Sequence, residues 1–235
     1  MISEQHSRTA ALIGEAATAQ LTRARVAVFG VGGVGGHLAE ALARAGVGAI
    51  DLVDGDVVSV SNINRQIIAL HSTVGRPKVE VMAERIRDIN PDCVVRTHHC
   101  LYLPENADEL DLSVYDYVAD AIDTVSAKLE LCVRAKALNV PIIASMGTGN
   151  KLDPSALEVS DISKTSVCPL ARVMRTELRR RGIHHCKVVY SRELPVTAGI
   201  VDEEGRRRVV PASISFVPSV AGLLMAGEIV KDLIS

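Results

Sequence analysis

Apolar and polar positions change period several times along the chain, and each change marks an element. Val26-Ala27-Val28-Phe29 is an uninterrupted apolar run, as expected of a strand buried on both faces of a parallel sheet. A glycine-rich turn comes next, after which residues 37–45 read as a helix and 49–53 as a second strand. Val79, Met82, Ala83 and Ile86 recur at three and four residues. That spacing predicts a helix over 76–90, ended by Asn90-Pro91. Residues 94–97 and 115–119 read as strands, 125–138 as a helix and 141–145 as a fifth strand. Strand and helix in alternation predict an α/β fold with a Rossmann-like doubly wound, mostly parallel sheet. Residues 1–24 form a helical arm ahead of this core of residues 25–150.

From Lys151 the alternation breaks down, and residues 151–235 are expected to be an α+β extension of one single domain, serving substrate binding and dimerisation. Residues 157–162 read as a strand and 169–181 as a two-faced helix. Leu170, Val173, Met174 and Leu178 share one side of that helix, while Arg172, Arg175 and Arg179 share the other. This arginine face is either a contact for RNA phosphates or ordinary solvated surface. Arg206, Arg207 and Arg208 form a second basic cluster with the same two readings. Residues 218–234 form a very apolar last helix whose small residues Ala221, Gly222, Ala226 and Gly227 permit close approach. It needs cover, from the sheet or from a second subunit.

The candidate chemistry begins at the glycine turn. Gly30, Gly32 and Gly35 fall in the G-x-G-x-x-G spacing, with Gly33 between them. Such a turn, opening a helix, suits NAD, FAD or ATP. Asp54 lies at the tip of the second strand, where a carboxylate holds ribose hydroxyls. The residues beyond Asp54 separate these cofactors. A diphosphate held by the glycine turn needs no further cations, whereas a triphosphate does. Arg65 can fork onto phosphate oxygens, Asn62 and Gln66 can donate amide N–H groups, and Lys78 supplies a point charge. Asp123 comes just after the fourth strand. A carboxylate facing a triphosphate is costly unless a cation lies between, so Asp123 is a Mg²⁺ ligand or, alternatively, a helix cap.

The order GxGGxG, DxD (Asp54 and Asp56), SNxxRQ (Ser61 to Gln66), GxPK (Gly75 to Lys78) and DAIDT (Asp120 to Thr124) resembles the adenylating enzymes of the ubiquitin-activating superfamily, the ThiF/MoeB-like proteins. Within it, the chain is most similar to the dehydratases that act on N6-threonylcarbamoyladenosine in tRNA, from about Arg8 to the C-terminus. The resemblance implies ATP and Mg²⁺ as cofactors and a tRNA carrying threonylcarbamoyladenosine as partner. The expected reaction is an ATP-dependent dehydration through an acyl-adenylate, with Arg65, Lys78 and Asp123 as the catalytic set and Asp56 orienting Arg65 or Asn62. It also implies a homodimer in which Arg8 reaches the partner subunit's nucleotide, and it leaves a sulfur-relay protein open as a partner. The alternative is an adenylyltransferase for the C-terminal Gly-Gly of a ubiquitin-like sulfur carrier. The absence of zinc-binding CxxC pairs counts against that alternative.

Composition narrows the classes further. Hydrophobic residues make up 48% of 235, aromatics 3%, and formal net charge is −2, so an aliphatic core is available and no global basic field attracts nucleic acid. Met1 to Ser7 carries no apolar signal core, and charged residues and Pro218 interrupt the C-terminal apolar stretch. A cytoplasmic protein without membrane insertion is expected. Five cysteines without a CxxC pair argue against disulfides and structural zinc. Cys168, ahead of a helix, is either an incidental thiol or a thioester-forming nucleophile. His184, His185 and Cys186 are rejected as a metal site, because adjacent histidines in a strand point to opposite faces.

Overall fold

The computed structural model describes residues 3–196 and 211–235; Arg206 to Arg208 lie outside them. The arm comprises a short 3-10 turn (Glu4–His6) and helices α1 (Ser7–Ile13) and α2 (Glu15–Leu21). Then come β1 (Arg25–Phe29), α3 (Gly35–Ala45), β2 (Ala49–Val53), α4 (Lys78–Ile89), β3 (Val94–His98), β4 (Tyr117–Asp120), α5 (Val125–Ala137) and β5 (Ile142–Ser145). The chain continues through β6 (Leu157–Asp161), α6 (Pro169–Arg180), β7 (Lys187–Ser191) and α7 (Phe216–Leu233).

All strands join one seven-stranded sheet ordered β3-β2-β1-β4-β5-β7-β6. The pairings are parallel except that of β6 with β7 at the edge. The order reverses between β1 and β4, so the crevice outside their carboxyl ends is the topological switch point, where ligands of such sheets bind.

Cover on both faces explains the apolar strands. Val26, Val28, Ile50 and Leu52 pack on one side against Leu38, Leu42, Met82 and Ile86. Ala27, Phe29 and Val118 pack on the other among Leu131, Ala135 and Met174. Val217, Ala221, Met225 and Ile229 of α7 belong to the first cluster. The cover that α7 requires therefore comes from its own chain. The close approach occurs at Gly222, where a Cβ would sit 2.4 Å from Val34 O.

Two features depart from the sequence pattern. β7 has only Val188, Val189 and Tyr190 as its apolar run, too short to signal a strand without its β5 and β6 neighbours. His184 and His185 precede it outside any strand, so the face argument against a metal does not apply to them. Among the described residues no group of three or more His, Cys, Asp or Glu is placed to hold a metal ion. The second feature is Asp51, fully buried within β2. Its carboxylate accepts from Arg25 Nε at 2.8 Å and lies 3.1 Å from His98 Nε2. Burial pushes that carboxyl up, but the hydrogen bonds from Arg25 and His98 outweigh it and hold it below its ordinary value. No helix among the described residues is long and apolar enough to cross a membrane.

Candidate active site

The turn after β1 is built at a separation that only glycine permits. Gly30 has φ +88°, and a Cβ there would lie 2.6 Å from Ala121 O. A Cβ on Gly35 would fall 1.8 Å from Gly30 O, so α3 starts directly against the strand end. A helix begins with N–H groups lacking intrahelical partners, and α3 offers that end to an anion. Gly32 and Gly33 line the cleft in front of it, a cavity of about 290 Å³.

Asp54 stands at the tip of β2 on the same wall. Its Oδ2 accepts from Val31 N–H at 2.6 Å and its Oδ1 from Asp56 N–H at 2.8 Å. The carboxylate thus ties the strand tip to the glycine turn, with its remaining lone pairs available to a ligand. Asp56 lines the cleft too, but its partner differs from the expected one. Lys78 Nζ lies 2.7 Å from Asp56 Oδ2, so Asp56 orients Lys78 rather than Arg65 or Asn62. Lys78 opens α4 directly after Pro77, two residues later than the expected helix start, and is 5% exposed.

Arg65 and Gln66 come from the loop between β2 and α4, and both reach the cleft. Arg65 Nη1 donates to Ser61 O and Asn64 Oδ1, each at 2.8 Å. These two bonds fix the guanidinium plane and leave its other nitrogens unpaired among the described residues. Gln66 is buried, and its Oε1 has no hydrogen-bond partner among them. Asn62 does not line the cleft. Its Oδ1 accepts Ser59 N–H at 3.1 Å, and its backbone carbonyl receives the N–H groups of Arg65 and Gln66. The geometry gives Asn62 the positioning of the loop rather than donation to phosphate. Arg8 is exposed on α1 and is also absent from this chain's cleft.

The opposite wall extends from β4. Asp123 is exposed and lines the cleft, with Thr124 Oγ1 donating to its Oδ1 at 3.4 Å. Thr124 occupies the cap position of α5, and no side chain bonds the helix end. Capping is therefore not what the Asp123 carboxylate does. Asp120 is fully buried at the end of β4, with the equally buried Lys128 Nζ 2.9 Å away. Burial pushes the Asp120 carboxyl up more than Lys128 draws it down.

Several lining residues carried no sequence motif. Leu101 and Tyr102 come after β3, Thr148 after β5, and Ser213 and Pro218 from the C-terminal segment. The Tyr102 ring meets Phe29 edge-on at 5.0 Å, and burial pushes its hydroxyl up to about 12. Its place just past a parallel strand's carboxyl end is the one signal that could have found it.

The arginine face of α6 proves uneven. Arg175 Nη1 donates to Thr165 O at 2.9 Å and so braces the loop before the helix. Arg180 and Arg181 pair with Glu177 at 2.6 and 2.8 Å. Arg172 and Arg179 are exposed and without an ion pair among the described residues. Cys168 caps the start of α6, is 4% exposed, and packs beside Gly147.

A helix N-terminus, an arginine, a lysine and a carboxylate therefore face one cleft. The ThiF family profile matches residues 6–235. The chain is 44% identical over 243 aligned residues to the tRNA threonylcarbamoyladenosine dehydratase of Bacillus subtilis, covering 98% of this chain and 94% of that protein. The fold matches a crystal structure of Escherichia coli tRNA N6-threonylcarbamoyladenosine dehydratase in complex with ATP, with a TM-score of 0.89 and 36% identity over 99% of this chain and 96% of that one. The structure of the same protein in complex with AMP matches with the same TM-score, identity and coverage.

Proposed function

The chain belongs to the ThiF family, and from that premise we propose that it catalyses ATP-dependent dehydration of N6-threonylcarbamoyladenosine in tRNA. The observation that carries the reading is the meeting of the glycine turn, Arg65, Lys78 and Asp123 in one cleft at the switch point. The full-length likeness to the Bacillus subtilis dehydratase favours this reading over activation of a sulfur-carrier protein.

In the reaction, the threonyl carboxylate of the modified adenosine attacks the α-phosphorus of ATP and pyrophosphate leaves. The carbamoyl group then attacks the acyl-adenylate from within the same molecule. AMP is released, a five-membered ring closes, and the nucleoside has lost one water overall. The protein's share is positioning and charge neutralisation. Asp54 holds the ribose, the α3 end and Gln66 receive phosphate oxygens, and Arg65 and Lys78 oppose the charge that builds on the leaving pyrophosphate. Asp56 keeps Lys78 aimed through their 2.7 Å contact. Buried Cys168 needs no role in this chemistry.

Mg²⁺ fits the donor set. Asp54 and Asp56 are engaged with backbone N–H groups and Lys78, whereas Asp123 presents an exposed carboxylate to the cleft. A site of one carboxylate plus phosphate oxygens and waters suits that ion, which would neutralise phosphate charge. The reading further includes a homodimer in which exposed Arg8 reaches the partner's nucleotide, a cytoplasmic location and, as an optional partner, a sulfur-relay protein.

The test incubates the protein with ATP, Mg²⁺ and threonylcarbamoylated tRNA, then applies digestion and mass spectrometry under conditions that preserve the ring. A nucleoside lighter by one water is expected, and Arg65→Ala or Asp123→Ala should abolish it. Pyrophosphate exchange only with a Gly-Gly-tailed protein would transfer the site to sulfur-carrier activation.

A further inference from the structure

Lys128 is a lysine with 0% exposure, one turn into α5 and beneath the loop that carries Asp123. A buried ammonium is costly, and a motif-free lysine in an amphipathic helix would ordinarily face water. Its surroundings explain its retention. Nζ lies 2.9 Å from Asp120 Oδ2, a Coulombic contact off the line of a hydrogen bond, and donates to Ile122 O at 3.2 Å. Asp120 Oδ1 in turn accepts Ile122 N–H at 3.1 Å. Both backbone groups of Ile122 are thus held from below by one buried pair. Ala121 N–H donates to Phe29 O at 2.8 Å, and Ala121 O would lie 2.6 Å from a Cβ on Gly30. Ala121 and Ile122, directly ahead of Asp123, are thus clamped between the pair and the glycine turn.

We infer that Lys128 is a positioning residue for the adenylation step: it fixes the Ile122 carbonyl and so sets the height of Asp123 over the phosphates. The inference rests on the proposed dehydratase reading. A pair retained for stability alone makes the opposite prediction about which replacement is tolerated. In Asp120→Asn the amide oxygen still accepts Ile122 N–H and Lys128 still donates to Ile122 O, so both anchors survive although the pair loses its negative charge. In the double variant Asp120→Asn, Lys128→Met no charge is left unpaired, but the carbonyl anchor is gone.

The experiment compares these two variants with the wild type. Melting by circular dichroism, binding of a fluorescent ATP analogue, and kcat and KM for ATP in tRNA dehydration are measured on each. The wild type must dehydrate tRNA; if it does not, the dehydratase reading fails and the variants are not at issue. Given wild-type activity, Asp120→Asn should keep kcat near the wild-type value. The double variant should melt cooperatively and bind the analogue normally, yet lose about tenfold or more in kcat, a barrier increase of about 1.4 kcal/mol. A double variant with unchanged kcat overturns the inference. So does one that no longer folds, or an Asp120→Asn protein as impaired as the double, because either would make the pair a stability device.

Discussion

Replacing Lys78 by methionine removes one positive charge and keeps an unbranched apolar stem of similar reach. The structure separates the two consequences. Lys78 is 5% exposed, but the Asp56 side chain opposite it is 61% exposed, so the abandoned carboxylate is hydrated rather than stranded. Such a half-exposed pair contributes about 0.2–1 kcal/mol to stability, which for a chain of this length lowers Tm by at most about 4 °C. A hydrogen bond to a charged phosphate contributes about 1.5–3 kcal/mol, so kcat/KM for ATP should fall about 10- to 150-fold. Circular-dichroism melting and initial-rate kinetics with saturating tRNA read the two effects independently. A fall in kcat/KM of less than about threefold, under 1 kcal/mol, would mean that Lys78 serves Asp56 and not the nucleotide. A collapse of the melt would refute the assignment of the pair to the site rather than the fold.

The same geometry fixes three other outcomes. Asp51 has a lowered carboxyl in the folded state, so the stability it contributes is present above the unfolded value of about 3.9 and is lost as pH falls through the folded value. Asp51→Asn should accordingly flatten the acid limb of a Tm-versus-pH curve, and an unchanged limb would remove Asp51 as its source. Cys168→Ser should leave tRNA dehydration within about twofold of the wild type, a change below 0.5 kcal/mol; abolished turnover would reopen a covalent thioester route. Reversing the charge of Arg172 and Arg179 together should weaken tRNA binding and reduce its salt slope by about one unit per lost phosphate contact. Binding with the same slope would assign both side chains to plain solvated surface.

The parallel core was legible because burial on both faces writes itself as apolar runs, and the glycine turn because two of its glycines, Gly30 and Gly35, answer to contacts or torsions no other residue tolerates. That Arg65, Gln66 and Lys78 share one cleft was legible for a related reason, since a cluster of cations and an amide just past a strand's carboxyl end falls where such sheets place their crevice. The misses share a cause as well. Lys128 and Asp120 lie eight residues apart and declare their pairing only once α5 is folded over β4. Asp51 reads as an interruption of a strand until Arg25 and His98 arrive from its two neighbours. Arg175 keeps helical register with Arg172 and Arg179, and no periodicity could tell that its guanidinium turns back to Thr165. β7 depends on both flanking strands, which is tertiary context and not local preference.

The glycine turn after β1 is synthesised well before α7, which forms its roof. Pro218, at the start of α7, lines the cleft above Gly33, where a Cβ would approach it to 3.2 Å, and Gly222 rests on the carbonyl of Val34. During vectorial synthesis the early β-α-β segment emerges with its anion-binding end bare, and domains ordinarily begin to organise from that end. Closure of the cleft is thereby postponed until α7 has been made. A polypeptide stopped ahead of α7 carries Arg65, Lys78 and Asp123 and still lacks the wall that Pro218 supplies.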